Sequence, residues 1–163
     1  MPAWRAEGRP LDRGAPAVPP PGDFVARLDP AWVRSADQVA ENLATGAARV
    51  VDARGRARFA GEAPEPRPGL RSGHIPGSAN LPWDEVVGSD GRLRQADDLA
   101  TRFAAAGVDL DRPVWTTCGS GVTAAILALA LARLGRAPIP LYDGSWSEWG
   151  ALPHLPIETG AAR

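Results

Sequence analysis

The chain has 163 residues, 44% of them hydrophobic, and its 18 basic and 19 acidic side chains leave a formal net charge of −1. That is enough apolar material for one compact core, and so even a balance gives no electrostatic reason to expect a nucleic acid or a membrane surface as partner. Every basic residue is arginine, and the single cysteine has only His74 and His154 for histidine company; a Schiff-base or phosphate-loop lysine, an internal disulfide and a Cys/His zinc cage are therefore excluded, and no metal or cofactor is expected.

The first thirteen residues are too polar for a secretory signal, and a cytoplasmic location is expected. Within them, Trp4-x-x-x-Gly8-x-Pro10-Leu11-Asp12 echoes the far end of the chain, where Trp146 and Gly150 share the spacing and Pro156-Ile157-Glu158 follows. This is a partial internal repeat. Residues 15–22, Ala-Pro-Ala-Val-Pro-Pro-Pro-Gly, predict an extended linker between a tail over 1–14 and a domain over 23–163.

The Ser35-Ala-Asp-Gln38 spacing predicts a capping box, Val39 and Leu43 recur on one face, and Gly46 stops this first helix. A strand follows over 48–51. Residues 54–72, rich in Arg, Pro and Gly, read as a long functional loop. A helix over 97–106 places Leu99 and Phe103 on one face and ends at Gly107. A strand over 114–117 comes next, then a helix over 122–134, apolar all round and so expected to be buried, yet too short to cross a bilayer. The last strand is expected over 139–142. Strands alternating with helices predict an α/β fold, a central parallel sheet flanked by helices.

Cys118 falls at the junction between a strand and that buried helix, where ligands bind in such sheets. Gly119-Ser120-Gly121-Val122-Thr123 follows it. The glycines let successive N–H groups curl inward beside a helix start, a cradle that favours a thiolate nucleophile over a merely buried structural thiol.

This stretch, Cys118-Gly-Ser-Gly-Val-Thr123-Ala124, resembles the active-site loop of the rhodanese (sulfurtransferase) family, in particular its 3-mercaptopyruvate branch. Val50-Val51-Asp52-Ala53-Arg54, Gly73-His74-Ile75-Pro76-Gly77-Ser78-Ala79-Asn80 and Tyr142-Asp143-Gly144-Ser145-Trp146-Ser147-Glu148-Trp149 resemble three further family segments in the family's order. The resemblance implies a rhodanese-like domain with its active-site loop between a strand and a buried helix. It also implies that the tail is the end of a preceding rhodanese domain.

The chemistry implied is transfer of sulfane sulfur from 3-mercaptopyruvate, or alternatively thiosulfate, through a persulfide on Cys118 to cyanide or a thiol, such as that of a thioredoxin-like protein. Ser120 is the expected polar neighbour of the sulfur, and the N–H groups of Gly119, Gly121, Val122 and Thr123 are expected to hold its charge, with Thr123 also able to cap the helix. Thiosulfate is a compact dianion, whereas mercaptopyruvate carries its charge on a carboxylate away from the sulfur. The cysteine loop is neutral, and the cations lie in the long loop as Arg54, Arg56, Arg58, Arg67 and Arg71. By resemblance Arg58 and Arg67 bind substrate. Arg54 is expected to pair with Asp52, Arg56 to face solvent, and His74 to fix a turn rather than act as a base. A cysteine phosphatase is disfavoured because the sixth position after the cysteine is Ala124, where that chemistry needs arginine. A rhodanese module acting as persulfide carrier or protein-binding domain is the rival reading.

Overall fold

The computed structural model describes residues 2–162, Pro2 by its backbone only. Five short strands, β1 (Val33–Arg34), β2 (Arg49–Asp52), β3 (Ala79–Asn80), β4 (Val114–Thr117) and β5 (Leu141–Tyr142), form one all-parallel sheet in the order β1-β5-β4-β2-β3. The helices are α1 (Pro2–Ala6), α2 (Ala36–Thr45), α3 (Arg56–Ala60), α4 (Ala96–Ala105), α5 (Ala124–Arg133) and α6 (Ser145–Trp149). None is long and apolar enough to cross a membrane among the described residues. β4 lies in the middle of the sheet, paired residue for residue with β2 from Arg49↔Val114 to Asp52↔Thr117 and with β5 at Thr116↔Leu141, so the residue that follows β4 leaves a strand paired on both sides.

Successive residues of β2 face opposite sides of the sheet, and each side has its own core. Val51 joins Leu99 and Phe103 of α4 and Leu127 and Leu131 of α5 on one side. Val50 joins Val39 of α2, Ile75, Tyr142, Trp146 and Trp149 on the other.

The predicted capping box is formed: the Gln38 N–H donates to Ser35 Oγ at 3.3 Å and the Ser35 N–H donates to Gln38 Oε1 at 3.0 Å, while Gly46 ends α2 at φ +59. Asn42 then ties the helix to the next strand, donating to the Ala48 carbonyl and accepting from the Ala48 N–H. Four departures from expectation have local causes. The 54–72 segment contains α3, a single turn of good helix formers closed by Gly61 at φ +81. The last strand is cut to two residues because Pro138 and Pro140 have no N–H to donate to a ladder, although the Pro140 carbonyl still accepts from the Thr116 N–H. The 122–134 helix begins only at Ala124, and its apolar surface is not wholly buried, since Val122 is 72% and Leu129 59% exposed. Finally, β1 and β3 have two residues each, too few to show a period.

Residues 16–29 have no regular structure and are exposed, and regular structure resumes at Pro30. In the tail, the Trp4 indole donates to the Pro10 carbonyl at 2.8 Å, and the Trp149 indole donates to the Pro156 carbonyl at 2.8 Å. Trp146, which the echo aligns with Trp4, donates instead to the Arg71 carbonyl at 2.9 Å, so the two aligned tryptophans do not share this contact.

Candidate active site

Cys118 leaves the carboxyl end of β4 and sits only 2% exposed at a cavity of about 210 Å³. Beside it in the lining are Gly119, Ser120, Val122 and Thr123 from its own loop, Arg58, Glu65 and Arg67 from the long loop, and Ser147 from α6. The structure thereby brings together Cys118, Ser120 and both arginines expected at the substrate.

Gly121 is the exception. It is buried, at φ +80, and its N–H donates to Ser145 Oγ at 3.0 Å instead of facing the cavity. Ser145 Oγ also accepts from the Cys118 N–H at 3.2 Å and donates to the Tyr142 carbonyl at 2.8 Å. It therefore clasps the cysteine loop at both ends while holding φ +50, a left-handed geometry unusual for any residue but glycine. A second clasp comes from Ser147, whose N–H and Oγ both donate to the Gly119 carbonyl. With Cys118 and Gly121 so engaged, the N–H groups of Gly119, Ser120, Val122 and Thr123 remain without a partner among the described residues. These can meet a thiolate or persulfide charge, the part an oxyanion hole plays elsewhere. Thr123 stands at the start of α5 but makes no side-chain cap, because its αR backbone keeps Oγ1 from the N–H groups ahead.

The arginines divide by surroundings. Arg54 is wholly buried: it grips Asp52 through Nε and Nη2, donates from Nη1 to Glu65 at 2.7 Å and from Nη2 to the Gly73 carbonyl, and lies over the Trp146 ring at 4.4 Å. Arg71, one of the long-loop cations, donates to the carbonyls of Trp149, Gly150, Leu152 and Leu155, closing the C-terminal end of α6. Arg56 is exposed and pairs with Glu85, as its expected place in solvent allows. Arg58, one-third exposed, is held to Glu65 and approaches Gly119 so closely that a Cβ there would meet its Nη2 at 3.0 Å. Arg67 donates to Ser147 Oγ, which links the arginine to the cysteine loop.

His74 is stacked on Phe59 with ring centroids 3.7 Å apart, and its Nδ1 lies 2.9 Å from the Phe59 carbonyl, which only accepts, so Nδ1 carries the hydrogen. It lies outside the cavity lining and ties its segment to α3. Tyr142 donates to Glu148 at 2.8 Å, and burial together with that carboxylate pushes its phenol far up, leaving it a hydrogen-bond donor and no base.

Glu65, Ser145 and Ser147 did not emerge as site residues from sequence. Glu65 stood in plain view two residues before Arg67, and the two serines stood in the closing Tyr142-to-Trp149 segment, but their partners lie too far along the chain for spacing to reveal.

If the two cavity arginines meet the substrate, Arg58→Ala and Arg67→Ala are each expected to lower kcat/KM for an anionic donor by about 2 kcal/mol, roughly thirtyfold, through loss of one charge-assisted hydrogen bond. Arg56→Ala is expected to be silent. Steady-state kinetics with thermal melts on the three variants check this, and equal damage at positions 56 and 58 would dissolve the assignment.

Comparison with known proteins shows the family and the fold. The rhodanese-like domain family matches residues 35–152. The chain is 46% identical over 155 residues to 3-mercaptopyruvate sulfurtransferase of Escherichia coli K12, covering 95% of this chain and 54% of that protein. It is 47% identical over 139 residues to thiosulfate/3-mercaptopyruvate sulfurtransferase 1, mitochondrial, of Arabidopsis thaliana, covering 85% of this chain and 37% of that protein. A crystal structure from Escherichia coli, described for the rhodanese fold of 3-mercaptopyruvate sulfotransferases, superposes with a TM-score of 0.76 at 42% identity, covering 89% of this chain and 53% of that one. The chain thus spans about half the length, or less, of these relatives.

Proposed function

Because this chain belongs to the rhodanese family, whose relatives include sulfurtransferases acting on small anionic donors, we propose that its cavity moves sulfur from 3-mercaptopyruvate to a thiol or cyanide. One observation carries the reading. A nucleophilic atom and two guanidinium groups share a cavity of about 210 Å³, in which the cysteine loop itself is neutral and the cations come from the long loop. That division of charge suits a donor whose carboxylate is distinct from its reacting sulfur.

The Cys118 thiolate attacks the donor sulfur, and the carbon–sulfur electron pair leaves with the pyruvate enolate, which takes up a proton to give pyruvate. Cys118 now carries a persulfide. The loop amides of Gly119, Ser120, Val122 and Thr123 bear its negative charge in turn with that of the thiolate, while Arg58 and Arg67 hold the carboxylate and keto oxygens. An acceptor thiolate, such as that of a thioredoxin-like protein, then attacks the outer sulfur and restores the Cys118 thiolate; cyanide does the same and leaves as thiocyanate. Ser120, which lines the same cavity, hydrogen-bonds the sulfur or the departing enolate oxygen in this reading.

Thiosulfate is the second reading, favoured by the name of the Arabidopsis relative. Thiocyanate formation with each donor separates the two. Mercaptopyruvate is expected to exceed thiosulfate in kcat/KM by at least roughly tenfold, about 1.4 kcal/mol of differential transition-state binding. A thiosulfate advantage would transfer the assignment to that donor, and failure of both would leave a carrier or binding module.

A further inference from the structure

Among the described residues, Glu65 is the only carboxylate lining the Cys118 cavity, and its side chain is only 2% exposed. Both oxygens are engaged by arginine. Oε1 takes Arg54 Nη1 at 2.7 Å and Arg58 Nε at 3.4 Å, and Oε2 takes Arg58 Nη2 at 2.5 Å. Arg54 is already matched by Asp52, on which it closes with Nε and Nη2. In the row Asp52, Arg54, Glu65, Arg58, the charges therefore cancel in pairs, and Arg58 reaches the cavity as a hydrogen-bond donor whose charge has been met from behind. Arg67 differs, because its side-chain partner is the neutral hydroxyl of Ser147.

We propose that Glu65 is a specificity-determining residue: by neutralising Arg58 it matches the cavity to donors with one negative charge and sets it against compact dianions. The proposal rests on the sulfurtransferase reading and names the substrate class of that same site. A monoanion finds one uncompensated cation at Arg67 and neutral-balance donors at Arg58. A dianion brings a second negative charge into a cavity that already holds the Glu65 carboxylate and the thiolate, with nothing left over to offset it.

The test uses Glu65→Gln, which removes the charge and keeps the size, and Glu65→Asp, which keeps the charge. Two readouts are taken. One is the ratio of kcat/KM for mercaptopyruvate and thiosulfate. The other needs no turnover: protection of Cys118, the chain's one cysteine, from iodoacetamide by pyruvate and by sulfate, followed by mass. In Glu65→Gln both ratios are expected to move at least roughly tenfold toward the dianion, whereas Glu65→Asp keeps the wild-type preference. A purely structural role for Glu65 would lower both donors together and leave the ratios in place, and that result would overturn the proposal. So would an equal shift in the Asp variant. Should Glu65→Gln fail to fold, wild type alone decides: sulfate protecting Cys118 at lower concentration than pyruvate overturns the idea. Absence of any persulfide in wild type would instead end the sulfurtransferase reading, with the alkylation result still standing on its own.

Discussion

Cys118→Ser is expected to abolish sulfur loading and to lower turnover by on the order of 10⁴-fold or more, at least about 5 kcal/mol of transition-state stabilisation. Wild type incubated with mercaptopyruvate should gain one sulfur atom, about 32 Da, reversed by cyanide or a reducing thiol. The variant should gain none. Serine is smaller than cysteine but nearly isosteric, and the tethers that shape the loop run to the Cys118 N–H and carbonyl rather than to its sulfur: Ser145 Oγ accepts from the former, and the Trp146 N–H donates to the latter at 2.9 Å. Melting should therefore be nearly unchanged, and lost chemistry can be read without lost structure. An unmodified wild-type mass after exposure to both donors at pH 8 would sink the persulfide mechanism.

The largest effect on stability is expected at Arg54, which touches no substrate. Its guanidinium is 1% exposed between Asp52 and Glu65, both about as buried. Arg54→Ala leaves two buried carboxylates facing one another with one partner gone from each, a change that typically costs about 3–5 kcal/mol. For a domain of this size that is a fall in Tm of roughly 10 °C. The side chain also covers Trp146 and satisfies the Gly73 carbonyl, so Arg54→Lys, with its single nitrogen, should recover only part of the loss. Thermal and urea melts measure this directly. A variant melting within a degree or two of wild type would mean that the row of charges stabilises nothing, and the argument for its role in the cavity would weaken with it.

These residues also show what a sequence can disclose. Elements whose cause is local were legible: α2 from its capping box and Gly46, α4 from Leu99 and Phe103, β4 from its β-branched run, and the loop at Cys118 from its glycines. The two-residue strands were not, because neighbouring strands hold them in place and their own residues say little. The site divides in the same way. Cys118, Arg58 and Arg67 could be named from motifs and meet at one cavity. Arg54 could likewise be given Asp52, two residues before it, as partner, but nothing around Arg71 in the sequence marks it, and only folding makes it a clamp on α6. Ser145 was invisible as a clasp because the amides it secures lie 24 and 27 positions away.

That distance has a meaning in time as well as in space. A protein is made from its first residue to its last, and β4 with the cysteine leaves the ribosome before α6 does. Until Ser145 and Ser147 arrive, the amides of Cys118 and Gly121 and the carbonyl of Gly119 lack the partners that shape the loop, and β4 lacks β5 at its side. An unfinished chain thus carries the thiol but not its setting. The cysteine loop therefore takes its final shape only once α6 has been made and has folded against it.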